Sequence, residues 1–326
     1  MLKAPPPEVS RIEMKLLTFK TPQGYGLGVL AGEAVLDLNV AFERHLGGAF
    51  DDVEGPFSLD MLSLLDLGET GLREARKALK EVENLLDEGE GGELFQEGVL
   101  RRPGEVELAA PIPRPRKNIV CLGLNYADHV AEGSRFSLPE VPVFFTKPPT
   151  AVTGPRDDIV YPRVTERLDY EVELALVIGR KGKYISKDDA YDHIAGYTVF
   201  NDVSARDLQR RHLQWYKGKS CDTFAPMGPY LVTADEIGDP MDLDMWLKVN
   251  GETRQSSNTG NMIFDIGTIL SVLSAGITLE VGDIIATGTP SGVGNAHPLG
   301  LLKVGDVVEA WIEGIGSLRN RVVAEG

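Results

Sequence analysis

Cysteine is nearly absent from this chain: Cys121 and Cys221 are its only two in 326 residues, too few for a disulfide framework or a thiolate zinc site. That scarcity fits a reducing, cytoplasmic setting. Positive charge is also short. Lys and Arg number 33 against 49 Asp and Glu, and the net charge of −16 argues against nonspecific binding to nucleic acid or an anionic membrane surface. No apolar run is long enough to span a bilayer. Met1 to Glu13 lacks the apolar core of a secretion signal and is interrupted by Pro5, Pro6 and Pro7. Neither nucleic acid nor membrane is therefore expected as a partner. An anionic small molecule remains compatible with this balance, because a few Lys and Arg beside a cation reverse the field inside one cleft. There is no internal repeat, and Gly292-x-Gly294 lacks the strand–turn–helix setting of a dinucleotide fingerprint.

What is present divides near residue 112. Met14 to Phe19 and Gly28 to Leu38 alternate like short strands, and Leu59 to Leu67 and Leu72 to Leu86 carry apolar residues at helical spacing. Asp87 to Glu93, acidic and Gly-rich, reads as a loop. None of these stretches gathers residues suited to chemistry, so residues 1–112 read as a small α+β scaffold domain. Pro111 to Arg116 reads as a stiff linker. From 117 to 326 short strands dominate: 118–123, 143–146, 171–178, 194–201, 230–233, 244–249, 283–287 and 307–312. Ile263 to Leu273 is the clearest helix, stopped by Gly276. Such spacing predicts a β-dominated barrel or sandwich rather than βαβ units.

One strand stands out. In Leu168-Asp169-Tyr170-Glu171-Val172-Glu173-Leu174, Glu171 and Glu173 project to one face, opposite Tyr170, Val172 and Leu174. Two carboxylates in so apolar a strand repel each other and resist burial unless a cation neutralises them. A solvated acidic face is the other reading, and Glu-x-Glu alone favours it. Asp202, at the end of the apolar stretch Ala195 to Phe200, shifts the balance, because it is placed to complete a three-carboxylate site. An all-oxygen donor set suits Mg²⁺ or Mn²⁺ rather than Zn²⁺. If the turn after Asp202 is helical, Arg206 and Gln209 share its face and could hold a carboxylate substrate against the metal. Asp202 could also cap that helix, a compatible role, but a cap alone does not explain Arg206 and Gln209.

Further candidates lie elsewhere. His129, one of five histidines, stands three residues before Glu132, a spacing at which a carboxylate orients an imidazole as a general base; surface ion pairs use the same spacing. Gly133 to Pro142, polar and Pro-bounded, reads as a mobile loop that could close over a site. Lys147, after an apolar run, and Lys219 could each place a positive charge at an enolate or carboxylate oxygen, or lie on the surface. Thr289, in the Gly-rich run Thr287 to Gly294, offers a hydroxyl and an N–H to an anion.

Taken in order, N-Y-A-D-H-V-A-E (125–132), F-T-K-P (145–148), Y-E-V-E-L (170–174), N-D-V-S-A-R-D-L-Q (201–209), K-S-C-D-T-F-A-P-M-G-P (219–229), N-T-G-N-M-I-F (258–264) and T-G-T-P-S-G-V-G (287–294) resemble the fumarylacetoacetate hydrolase family over roughly two-thirds of the chain. The resemblance implies an α+β, β-dominated fold: the family's mixed β-sandwich roll over 117–326, preceded by a variable small domain over 1–112, usually as a homodimer. It implies Glu171, Glu173 and Asp202 as ligands of Mg²⁺ or Mn²⁺. His129 and Glu132 match the lid-borne dyad of the smaller members, and Lys219 the lysine that stabilises enolate charge. Arg206, Gln209 and Thr289 match substrate and neighbouring positions, and Lys147 a further one. The pattern departs from true fumarylacetoacetases, whose base draws its glutamate from a distant segment and whose upstream sequence adds an Asp ligand, so fumarylacetoacetate itself is not the expected substrate.

The activity implied is that of a divalent-metal-dependent hydrolase or lyase on a 2-oxo or 2,4-dioxo (acylpyruvate-type) acid, through an enolate stabilised by the metal and Lys219. Alternatives on the same device are decarboxylation or isomerisation of 2-oxo dicarboxylic acids, and dehydration or cleavage of a deoxy-ketonate sugar acid. An idle metabolite-binding protein is the rival outside enzymes; the intact set of carboxylates, dyad and lysine counts against it.

Overall fold

The computed structural model describes residues 13–46, 58–132 and 138–326. The architecture is α+β and β-dominated, organised around the strand Val172–Ile178, in which every residue is buried. A sequence as apolar as Val-Glu-Leu-Ala-Leu-Val-Ile can be covered on both faces, which is how it is used here. Ile194–Asn201 pairs with it antiparallel on one side and Ile284–Ala286 on the other.

These strands lie in the middle of a sheet that has twelve strands among the described residues. Beyond Ile284–Ala286 come Ile119–Gly123, joined parallel, and Val143–Lys147 at the edge. Beyond Ile194–Asn201 come Ala225–Thr233 and then the N-terminal strands Lys15–Thr21, Gly24–Ala31 and Ala34–Asp37. The N-terminal third thus extends the same sheet, with Leu16 opposite Leu231. Residues 111–116 are packed rather than free-running: Ile112 is buried, and the Pro111 carbonyl accepts a hydrogen bond from Thr18 Oγ1 at 2.7 Å.

A second, five-stranded sheet runs Glu252–Asn258, Asp244–Val249, Val307–Ile312, Gly316–Ala324 and Ile159–Tyr161. One continuous apolar cluster fills the space between the sheets and under the helices, from Leu174 and Leu176 to Leu247 and Leu318. Helix Gly68–Asp87 buries Ala75, Ala78, Leu79 and Val82, the one-sided stripe its spacing predicts. Helix Ile266–Ser274 is capped by Asp265, whose carboxylate accepts the Thr268 N–H at 2.7 Å. Among the described residues no helix is long and apolar enough to cross a membrane.

The structure departs from the sequence reading in several elements. The acidic run expected as a loop includes the start of helix Gly91–Gln96, which buries Leu94. Ala225–Thr233 begins five residues earlier than expected, because Pro226 and Pro229 are tolerated inside it. Glu252–Asn258 and Gly316–Ala324 are strands without apolar runs. Each has one face on the core, through Gln255 in the first and Leu318, Asn320 and Val322 in the second.

The central strand has no slack to relax around a missing side chain, since Leu174 is wholly buried between two neighbours. Leu174→Ala is expected to cost about 2–5 kcal/mol, measured as a lower midpoint in cooperative chemical denaturation with unchanged slope.

Candidate active site

The site begins with strand register. Val172 lies opposite Asn201, so the next pair outward is Glu171 with Asp202, and paired residues on antiparallel strands share a face. Two hydrogen bonds fix this step: the Asp202 N–H donates to the Glu171 carbonyl at 2.8 Å, and Asn201 Oδ1 accepts the Glu171 N–H at 3.0 Å. Glu173, two residues along, joins them. Oxygen atoms of Glu171, Glu173 and Asp202 lie within 4.8 Å of one another, and all three side chains are buried. The solvated acidic face is therefore excluded.

Three buried cations meet this cluster. Lys219 Nζ donates to Glu171 Oε2 at 2.8 Å and Asp202 Oδ2 at 2.6 Å. Lys147, fully buried at the end of its edge strand, donates to Asp202 Oδ1 and to the Val203 carbonyl. Arg206 opens the short helix Arg206–Arg211; its Nη2 is 2.6 Å from Glu171 Oε1, and its Nε donates to Asp169 Oδ2 at 2.7 Å. Asp169 is a buried carboxylate the sequence reading passed over. It accepts the N–H groups of Gly294 and Asn295 at 2.7 and 3.0 Å, tying the Gly-rich run to Arg206.

Four carboxylates thus share three cations, and the deficit falls on Glu173. Its Oε2 accepts the Gly288 N–H at 2.9 Å, while its Oε1 is buried with no partner. Burial, reinforced by the charges of Asp202 and Glu171, pushes the Glu173 carboxyl well above the usual carboxylate range. Burial acts on Glu171 in the same direction, but there Lys219 and Arg206 outweigh it and hold the carboxyl well below that range. Lys219 keeps its proton because Asp202 and Glu171 overcome its desolvation. An unpaired oxygen in an all-carboxylate cluster is what a hard divalent cation satisfies, so the residues fit a metal ion.

The dyad sits on helix Ala127–Glu132. His129 Nδ1 is 3.5 Å from Glu132 Oε2, an ion-pair distance rather than a made hydrogen bond. Two side chains dock this helix on the Gly-rich run: Glu132 Oε1 accepts the Gly292 N–H at 2.8 Å, and Asp128 Oδ2 accepts from Ser291 Oγ at 2.6 Å. Asn125, one turn earlier, bridges the same run to the segment before helix Ile266–Ser274. It donates to the carbonyls of Thr287 and Phe264 and accepts the Phe264 N–H. The Thr289 hydroxyl is donated to the Val172 carbonyl and accepts from Gln255, so its side chain is fixed in the wall.

His129, Glu132, Glu171, Arg206, Gln209, Lys219 and Thr289 all line one cavity of about 610 Å³. Phe145 and Trp215, edge to face at 5.4 Å, form its apolar side. A side chain at Gly123 would overlap the Trp215 ring, so the glycine is what admits it. Every site residue singled out from sequence is therefore in the cavity wall or the carboxylate cluster beneath it. Of the loop expected to close over the site, residues 133–137 lie outside the described residues.

Residues 118–323 match the fumarylacetoacetate hydrolase C-terminal family model. The chain is 54% identical over 222 residues to an oxaloacetate tautomerase of Bacillus subtilis, covering 67% of this chain and 73% of that protein. It is 43% identical over 318 residues to a mitochondrial oxaloacetate tautomerase of Bos taurus, covering 95% and 92%. Among solved structures, the fumarylacetoacetate hydrolase of the psychrophilic Exiguobacterium antarcticum superposes with a TM-score of 0.75 at 37% identity, over 96% of this chain and all of that one.

A raised Glu173 pKa means that, in the metal-free protein, a proton occupies Glu173 at pH values where an ordinary carboxylate has lost it. A divalent cation must displace that proton, so apparent affinity should rise with pH until Glu173 ionises unaided. Mg²⁺ or Mn²⁺ titrated calorimetrically in two buffers of different ionisation enthalpy should show proton release on the acid side of that range. Glu173→Gln should abolish the release and most of the affinity. Affinity without pH dependence would remove Glu173 from the metal site.

Proposed function

This chain belongs to the fumarylacetoacetate hydrolase family of enzymes, and from that footing we propose that it is a divalent-metal-dependent tautomerase of 2-oxo dicarboxylic acids, interconverting the enol and keto forms of oxaloacetate. The observation that carries the reading is a His–Glu dyad facing a buried three-carboxylate cluster across one cavity. Similarity over nearly the full length to oxaloacetate tautomerases supports the choice of reaction.

Ketonisation releases one proton from the enol oxygen at C2 to solvent and delivers one to C3, so no other reactant is consumed. His129 is the group suited to the carbon, because an imidazole can give or accept a proton near neutral pH. Glu132, fixed by the Gly292 N–H, orients it. The Lys219 ammonium, held charged by Glu171 and Asp202, offsets negative charge at the C2 oxygen. Arg206 is tied to Glu171 and Asp169 and shares a hydrogen bond with Gln209 at 3.2 Å, so the two present a fixed polar edge to the substrate carboxylate. A cation held by Glu171, Glu173 and Asp202 would supply Lewis acidity for the 2-oxo group. Phe145 and Trp215 keep one wall dry, which strengthens each of these interactions.

Hydrolysis of a C–C bond in an acylpyruvate is the second reading, favoured by the likeness to a solved fumarylacetoacetate hydrolase. It needs a water beside His129 rather than the substrate carbon. One assay separates them. Freshly dissolved enol-oxaloacetate should lose its enol absorbance faster with enzyme and Mg²⁺ than without, with no fragment released and no acceleration after chelation. His129→Ala should lower kcat by about 10²–10⁴-fold while leaving metal affinity unchanged. Release of pyruvate from acylpyruvates at a higher kcat/KM than ketonisation would favour hydrolysis instead.

A further inference from the structure

The apolar side of the cavity is a wall of two rings set in order from the carboxylate cluster outward. Phe145 stands nearer, with the Lys219 ammonium 5.0 Å from its ring centroid, and Trp215 meets Phe145 edge to face at 5.4 Å. Trp215 directly precedes the short helix Tyr216–Lys219, and its carbonyl accepts the Lys219 N–H at 3.1 Å. The indole and the ammonium are thus one helical turn apart, with Phe145 between them. The indole is also held against backbone. Its six-membered ring lies on Gly123, the last residue of strand Ile119–Gly123, closer than any side chain at that position would permit. Backbone strain flanks the contact on both sides: Leu124, next to Gly123, has φ at +60°, and Leu213, two residues before Trp215, has φ at +59°. Both leucines line the same cavity. Strain of this kind persists only where the surroundings over-determine it, and it concentrates at ligand-contacting sites.

We propose that Trp215, admitted by Gly123, is the stop that limits substrate length, selecting four-carbon 2-oxo acids over longer ones. This length limit deepens the tautomerase reading, and it rests on that reading for placing the 2-oxo end at Lys219 and the carboxylate cluster. The helical rise from Trp215 to Lys219 is about 6 Å, a span that the two carbons beyond C2 and their substituents fill. A longer alkyl chain must run past Phe145 into the indole, and a longer chain ending in a charge would be desolvated against it.

The probes are 2-oxobutyrate, with the carbon count of oxaloacetate, and 2-oxohexanoate, two methylenes longer. They are titrated calorimetrically into Mg²⁺-loaded protein beside oxalate, which has no chain. The wild-type protein should bind 2-oxohexanoate no more tightly than 2-oxobutyrate. Trp215→Ala should tighten 2-oxohexanoate roughly tenfold relative to 2-oxobutyrate, the weight of two methylenes buried where the indole was, and change oxalate by less than about twofold. Trp215→Phe, a smaller ring beside Phe145, should move the ratio the same way by less, and it carries the test if the alanine variant does not fold. If the indole only braces the helix that bears Lys219, the variants would weaken all three acids together and leave the ratio unchanged. That unchanged ratio, or a wild-type protein that already favours the longer acid, overturns the proposal whatever the catalytic result. A Trp215-dependent ratio in a protein that does not ketonise enol-oxaloacetate would leave the wall assignment standing and remove the tautomerase reading.

Discussion

The unpartnered carboxyl oxygen of Glu173 is the constraint around which the rest of the site is arranged. Four carboxylates are buried together, Lys147, Lys219 and Arg206 answer them, and Glu173 Oε1 is left facing no donor. A protein that needed only a stable core would not place a carboxylate there, since a buried ion without a partner costs several kcal/mol. The three cations cannot be rearranged to cover it, because each is committed to other carboxylate oxygens. A divalent cation held there would close this gap and leave the cluster with one net positive charge, a setting that would attract an anionic substrate into an otherwise acidic protein.

The scaffold serves that cluster at each level. Antiparallel register brings Asp202 beside Glu171, and the apolar central strand keeps both out of water. Asp169 then links Arg206 to the Gly-rich run, and that run holds the dyad helix through Gly292 and Ser291. His129, Lys219 and the carboxylates come from four separate stretches of chain. Their relative positions are set by backbone N–H groups and buried side chains rather than by exposed loops.

Much of this was legible in the sequence because it is local. Glu171, Glu173 and Asp202 sit in or beside apolar strands where charge is out of place, and the His129–Glu132 spacing is readable within one helical turn. The missed parts are non-local. Asp169 looks like any polar residue at a strand edge until the fold brings Gly294, Asn295 and Arg206 to it. Asn125 looks like a turn residue until its side chain is seen to join Thr287 and Phe264. Strand Glu252–Asn258 lacks an apolar run, though Asn250-Gly251, both at positive φ, is a hairpin signal that would have revealed it. Its Gln255 turns inward to hold Thr289 and the Val172 N–H, a use of a buried amide that periodicity does not reveal.

Occupation of the carboxylate cluster by a divalent cation can be seen in crystals. Crystals grown with Mn²⁺ and measured at an energy where its anomalous scattering is strong test it most directly. One dominant anomalous peak is expected within coordination distance of Glu171, Glu173 and Asp202, absent in Glu173→Gln crystals grown alike. No peak at the cluster in crystals that hold Mn²⁺ elsewhere, or a peak that persists without the Glu173 carboxylate, would contradict it.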